Sequence, residues 1–149
     1  MSYRHILACV DGSPRSRRAV ATAARLAGSC DARLTLLFVL PPYVLPAYGE
    51  AAQYVPGVTP HLYKQRANAL LKQVLAPVEK LAQKAGVACE AIGVNAQEPW
   101  IGILHAARKR KCDLIVMASH GRRGIARALL GSETQRVLTH TRIPVLVVR

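Results

Sequence analysis

The sequence predicts an α/β protein built on an open, five-stranded, mainly parallel sheet with helices on both faces. Three observations predict it. Short apolar runs alternate with longer stretches of helical periodicity from one end of the chain to the other. The second run, "RLTLLFVL", is almost continuously apolar, the mark of a strand buried on both faces as in a parallel sheet. The chain has 149 residues, 51% of them hydrophobic and 19% charged, which suits one globular domain over 1–149 and not a disordered segment.

The elements follow in order. "YRHILACV" (Tyr3–Val10) is the first strand. Ser13 then Pro14 place an N-cap before a first helical position. The helix they open is expected to run to about Gly28, with Ala19, Ala23, Ala24 and Ala27 letting it lie close to a sheet. Arg33–Leu40 is the second strand. Residues 41–60 hold five of the nine prolines and three of the five tyrosines, a connection long enough to be expected to act as a lid. A second helix spans about Pro60 to Ala85, with a kink or break expected at Pro77. Val87–Val94 is the third strand; a helix starts near Glu98 with Pro99 in its first turn. Asp113–Ala118 is the fourth strand, Ser132–His140 a short last helix, and Ile143–Arg149 the fifth strand.

In such sheets ligands bind beyond the carboxyl ends of the strands, where strand order reverses. That rule selects Asp11–Ser13, Val39–Pro42 and Ala118–Gly121. The last of these opens "ASHGRRGIARALLGSET", which carries Gly121, Gly124 and Gly131 before a helix. A phosphate needs several N–H donors converging on it, and small residues let backbone approach. Gly121 and Gly124 can adopt positive φ. Ser132 either caps the last helix or gives its hydroxyl to a phosphate oxygen. The alternative is an ordinary strand-to-helix connection with a basic loop. Neither the Walker pattern nor G-x-G-x-x-G is present. Asp11 either closes an Asx turn or accepts from a ligand. Arg122, Arg123 and Arg127 are either solvated or, as guanidinium groups suit phosphate, in contact with it, with Arg122 nearest Gly121. His120 is read as structural and not as a general base, and Trp100 as a packing residue.

Other classes find less support. The net charge of +13 suggests nucleic acid, yet eleven of the 21 Lys and Arg lie before residue 100 and ten after it. The one dense run, Arg108–Lys111, sits at a helix end, either solvated there or as an anion-attracting patch. Cys9, Cys30, Cys89 and Cys112 have no zinc spacing and read as reduced thiols. The opening "MSYRHILACVDG" has too short an apolar run for a secretory signal, and the uncharged stretch from Leu34 to Gly49 contains three prolines, so a cytoplasmic protein is expected.

"DLIVMASHGRRGIARALLGSETQRVLTHTRIPVLVVR" and "ILACVDGSPRSRRAVATAARLA" resemble the two ends of the universal stress protein family, and "EPWIGILHAA" fits the helix before its fourth strand. The resemblance covers essentially the whole chain. It implies a Rossmann-like fold of the adenine-nucleotide alpha-hydrolase type. The nucleotide-binding branch carries G-x-x-G-x(9)-G-[ST], which falls here on Ala118, Gly121, Gly131 and Ser132, with alanine in place of the first glycine. By resemblance, ATP, with Mg2+ accompanying it, is held by Val10, Asp11, Val39, Met117, Ala118, His120, Gly121, Arg122, Gly124, Gly131, Ser132, Glu133 and Thr134. Asp11 would accept from the adenosine, Val39 would offer backbone to the adenine edge, and Ala118 would weaken binding without abolishing it. The implied function is a stress-response regulatory module with slow or no hydrolysis. The alternatives are a nucleotide-free dimeric adaptor of the same family, a nucleic-acid binder supported by charge alone, and, last, a dedicated enzyme. The resemblance also implies a homodimer paired through the C-terminal strand, Ile143–Val148.

Overall fold

The computed structural model describes residues 2–41, 59–121 and 130–149. Most of the 41–60 connection, Arg122, Arg123, Gly124 and Arg127 lie outside the described residues. Among the described residues nine elements alternate strictly: β1 (His5–Val10), α1 (Pro14–Cys30), β2 (Arg33–Leu40), α2 (Pro60–Lys84), β3 (Cys89–Asn95), α3 (Pro99–Lys109), β4 (Leu114–Ala118), α4 (Ser132–His140) and β5 (Val145–Val148). The strand order is β3-β2-β1-β4-β5, and every pairing is parallel.

Side-chain alternation along the strands separates two apolar layers. Ile6, Ala8 and Val10 of β1 join Leu34, Leu36 and Phe38 of β2 and Leu114 and Val116 of β4 in a core under α1 and α2. Leu7, Leu37, Ile115 and Met117 point the other way, into a core with α3 and Val137 of α4. The alanine face of α1 is fully buried, as its small side chains require for close packing on a sheet.

The structure shifts β3 to Cys89–Asn95 from the expected Val87–Val94, starts β4 at Leu114 and not Asp113, and revises four further expectations. α1 does not stop at Gly28 but continues to Cys30, where Asp31 takes the left-handed conformation (φ 53°). Gly28 stays helical, with Val87 Cγ2 close to where a Cβ would stand. α2 is unbroken through Pro77, whose ring lies on the exposed side, between buried Val74, Leu75 and Val78 that anchor the helix to the sheet. Packing of that face offsets the lost hydrogen bond. β5 is shorter than expected, starting only at Val145 because Pro144 precedes it. Finally, β1 starts at His5, not Tyr3.

At the amino end of the sheet, polar groups close on one another. Asp113 accepts from the N–H of Arg4 (2.8 Å) and of His5 (2.9 Å). Buried His5 donates through Nδ1 to the Arg110 carbonyl (3.0 Å), which leaves Nε2 to accept from the Thr35 hydroxyl (2.9 Å). Arg110, just past α3, pairs with Glu90. The basic run 108–111 is thus a helix end with one cation already engaged. Among the described residues no helix is long and apolar enough to cross a membrane.

Candidate functional site

Strand order reverses between β1 and β4, and there the sheet opens. The last β1–β4 pair is Ala8↔Val116, while Met117 and Ala118 pair only with β5, at Val147 and Val148. On the other side the last β1–β2 pair is Val10↔Phe38, so Val39 lies one residue past the cover of β1. A cleft of about 580 Å³ fills the gap at the carboxyl end, within the range of small-molecule sites.

One wall is the turn from β1 into α1. Asp11 Oδ1 accepts from Ser13 N–H (2.8 Å), closing an Asx turn in which Gly12 has φ 81°. Ser13 is the N-cap, its hydroxyl accepting from Ser16 N–H (3.1 Å). Both readings of Asp11 therefore survive, because the turn uses Oδ1 alone and Oδ2 faces Gly121 across the cleft. A Cβ on Gly121 would stand 3.0 Å from that oxygen. At Gly121 the constraint is thus space beside Asp11 and not positive φ, which it does not adopt.

The opposite wall is the end of β4 and the start of α4. Gly131 N–H donates to Ser119 O (2.8 Å), folding the chain back onto the strand end. A Cβ on Gly131 would meet that carbonyl at 3.1 Å and His120 Cα at 3.3 Å. Gly131 is itself the N-cap residue, and no side chain caps α4. Ser132 is the first helical residue, so its hydroxyl is not spent on capping. The N–H groups of Ser132, Glu133 and Thr134 have no intrahelical acceptor and, with the helix dipole, favour an anion. Buried Thr134 holds this end to the sheet, its hydroxyl donating to Ala118 O (3.1 Å). Glu133 faces α3 and accepts from Trp100 N–H (2.8 Å), so it caps that helix from a distance. Trp100 packs, its ring centroid 4.6 Å from that of His140, as expected of a packing residue. His120 Nδ1 contacts Ser119 Oγ (3.2 Å) and no acid–base partner among the described residues.

Ala118 closes the floor. It belongs to β4, is buried, and does not have positive φ, so its methyl group carries no backbone strain. Of the residues expected to form the site, Val10, Asp11, Val39, Met117, Ala118, His120, Gly121, Gly131, Ser132, Glu133 and Thr134 all line this cleft. Arg122 and Gly124 lie outside the described residues. Sequence reasoning missed Cys9, Ser16, Leu37, Phe38, Pro99 and Ile103. Pro99 and Ile103 had a signal: α3 also begins at the carboxyl end, after the one strand the reading passed over. It reaches Val39 because Gly102 has no side chain; a Cβ there would lie 2.9 Å from Val39 Cγ1. Burial, then the charge of Asp11, pushes the Cys9 thiol up to about 12, so it stays a thiol. Among the described residues no group of three His, Cys, Asp or Glu side chains could hold a metal.

The sequence matches the profile of the universal stress protein family over residues 2–149. The chain belongs to the universal stress protein family. Universal stress protein MJ0531 of Methanocaldococcus jannaschii is 35% identical over 99% of this chain and 82% of its own length. The universal stress protein UspA of Lactobacillus plantarum superposes with a TM-score of 0.79 at 24% identity, covering 100% of this chain and 99% of its own, which shows the same fold. A universal stress protein solved in complex with cAMP gives a TM-score of 0.70 at 25% identity, with 100% of this chain and 98% of that one covered. In this universal stress protein the five parallel strands and their helices are the family's Rossmann-like arrangement.

Proposed function

We propose that this universal stress protein binds ATP in the cleft between β1 and β4 and serves as a nucleotide-responsive regulatory module of the stress response. The observation that carries the proposal is the paired crowding at Gly121 and Gly131, which leaves bare backbone along the β4–α4 wall of a cleft that ends on an uncapped helix N-terminus. Such a surface offers N–H donors to phosphate oxygens at close approach. Ser132 adds a hydroxyl, and Asp11 Oδ2 stands at the other wall for the ribose hydroxyls. Uncovered backbone at Val39 suits the adenine edge. Mg2+ would ride on the phosphates, shielding them from the carboxylates of Asp11 and Glu133. The relative in complex with cAMP shows that this fold accommodates an adenine nucleotide in another member. The same reading takes hydrolysis to be slow or absent.

Ala118 is the one feature that speaks for a nucleotide-free adaptor, and its ordinary strand conformation weakens that reading. The test is titration calorimetry of the full chain with Mg-ATP. Saturable heat at one nucleotide per chain is expected; no heat up to about 1 mM ligand would overturn the proposal.

The same reading includes a cytoplasmic homodimer. The four cysteines are free, as a reducing compartment favours. β5 is an edge strand with Leu146 exposed, and an apolar edge calls for a partner. Light scattering at micromolar protein should give twice the 16.2 kDa chain mass.

A further inference from the structure

Along the sequence the basic residues are spread evenly, but the fold gathers them. α1 and α2 pack side by side over one face of the sheet. α1 carries Arg15, Arg17, Arg18 and Arg25 and no acid. α2 adds Lys64, Arg66, Lys72, Lys80 and Lys84, with Glu79 the one carboxylate on either helix. All of these cations except Arg15 are exposed. Among the described residues the ion pairs are Arg110–Glu90, Arg136–Glu98 and Arg136–Glu133, all elsewhere, so none of the nine is neutralised by an acidic neighbour. The large exposed apolar side chains, Ile101, Leu138 and Leu146, sit instead on α3, α4 and β5.

We infer that the α1/α2 face is a docking surface for the phosphodiester backbone of nucleic acid, engaged without regard to base sequence. The charge is one-signed and exposed. From Lys64 to Lys84 it extends along α2 by about 30 Å. A duplex of that length presents roughly 18 phosphates, and cations that replace their counterions gain affinity by ion release. A protein partner would need buried apolar or aromatic anchors at the centre of the contact, and a membrane would need apolar side chains to insert. Among the described residues this face carries none of the large exposed apolar side chains, and its Leu26, Leu62, Tyr63 and Leu70 are only partly exposed. It also lacks a helix-turn-helix, so positioning on phosphates, not base readout, is its chemistry. The inference is independent of the nucleotide cleft.

The test is fluorescence anisotropy of a labelled random-sequence duplex of about 30 base pairs with the full chain, from about 50 to about 200 mM salt. Two variants are compared with the parent, each removing four exposed charges. One carries Arg18→Gln, Arg25→Gln, Lys72→Gln and Lys80→Gln; the other carries Arg108→Gln, Lys109→Gln, Arg142→Gln and Arg149→Gln. Both should keep the parent's thermal melting, since none of these groups has an acidic partner. The first variant should bind at least tenfold more weakly at the lowest salt, with the slope of log K against log salt reduced by about 3; the second should change little. Equal losses in both variants, or no binding by the parent at about 50 mM salt, would overturn the inference. So would tighter retention on phosphatidylserine vesicles than on the duplex at matched salt.

Discussion

The two ends of the sheet are both polar, and they use their polar groups in opposite ways. At the amino end most polar side chains are turned onto a neighbour: His5 bridges Thr35 and the Arg110 carbonyl, Asp113 takes two backbone N–H groups, and Arg110 holds Glu90. A hollow of about 400 Å³ lies there, lined by His5, Thr35, Glu90 and Arg110 together with Arg33 and Cys89. At the carboxyl end the groups are held in place but not used up. Asp11 keeps Oδ2 after its turn is closed, Ser132 is released from capping by Gly131, and the first turn of α4 keeps its N–H groups. Polarity closed on itself serves the fold; polarity fixed by one bond and left open by another serves a ligand.

The comparison breaks most visibly at His5. Replacing His5 with Ala should destabilise the chain by about 3 kcal/mol in urea denaturation, because a buried hydroxyl and a carbonyl both lose their partner. Nucleotide affinity of the folded fraction should be unchanged. A variant as stable as the parent would mean the amino end is not the structural clamp described here.

Acid acts on the same end. Burial, then the charge of Arg33, holds His5 below its ordinary value, so the native state keeps it neutral. The unfolded chain protonates near pH 6.5. Stability from His5 is therefore full above that pH and is lost as pH falls through the lower native value. For Asp113, burial raises the carboxyl, but the N–H groups of His5 and Arg4 more than offset this and hold it low. Its contribution is present above the unfolded value of about 3.9 and lost on further acidification. The urea midpoint should thus fall on acidification from neutral pH, and by less in His5→Leu; a rising midpoint would contradict the assignment.

At the other end, Gly131→Ala should weaken nucleotide binding about tenfold in the calorimeter, because the new Cβ presses on Ser119 O and shifts the start of α4. Stability should change by less than about 1 kcal/mol, since φ of −59° suits alanine. The smallest effect belongs to Ala118→Gly. With no positive φ to relieve, affinity should change by less than about threefold. A tenfold gain would show that the methyl group, and not the backbone, limits the site.

Much of this was legible in the residues. β2 and α4 follow the predicted limits because an apolar run and a glycine-serine start leave little choice. Packing overrode local signals in two places: Gly28 stays helical beside Val87, and Pro77 does not break α2, whose buried face carries it. Site positions after β1, β2 and β4 were legible from topology alone. The role of the glycines was not, since crowding by Asp11 Oδ2 or Ser119 O depends on residues distant in sequence. Cys9 lines the cleft because β1 and β4 part beside it, past Ala8↔Val116, which no local pattern encodes.

The most direct measurement is a set of backbone amide spectra of isotope-labelled protein titrated with Mg-ATP. The account predicts saturable shifts at Asp11, Val39, Gly121 and Gly131 to Thr134, with His5, Thr35, Glu90 and Asp113 unmoved. Shifts centred on the amino-end group, or none at either end, would contradict it.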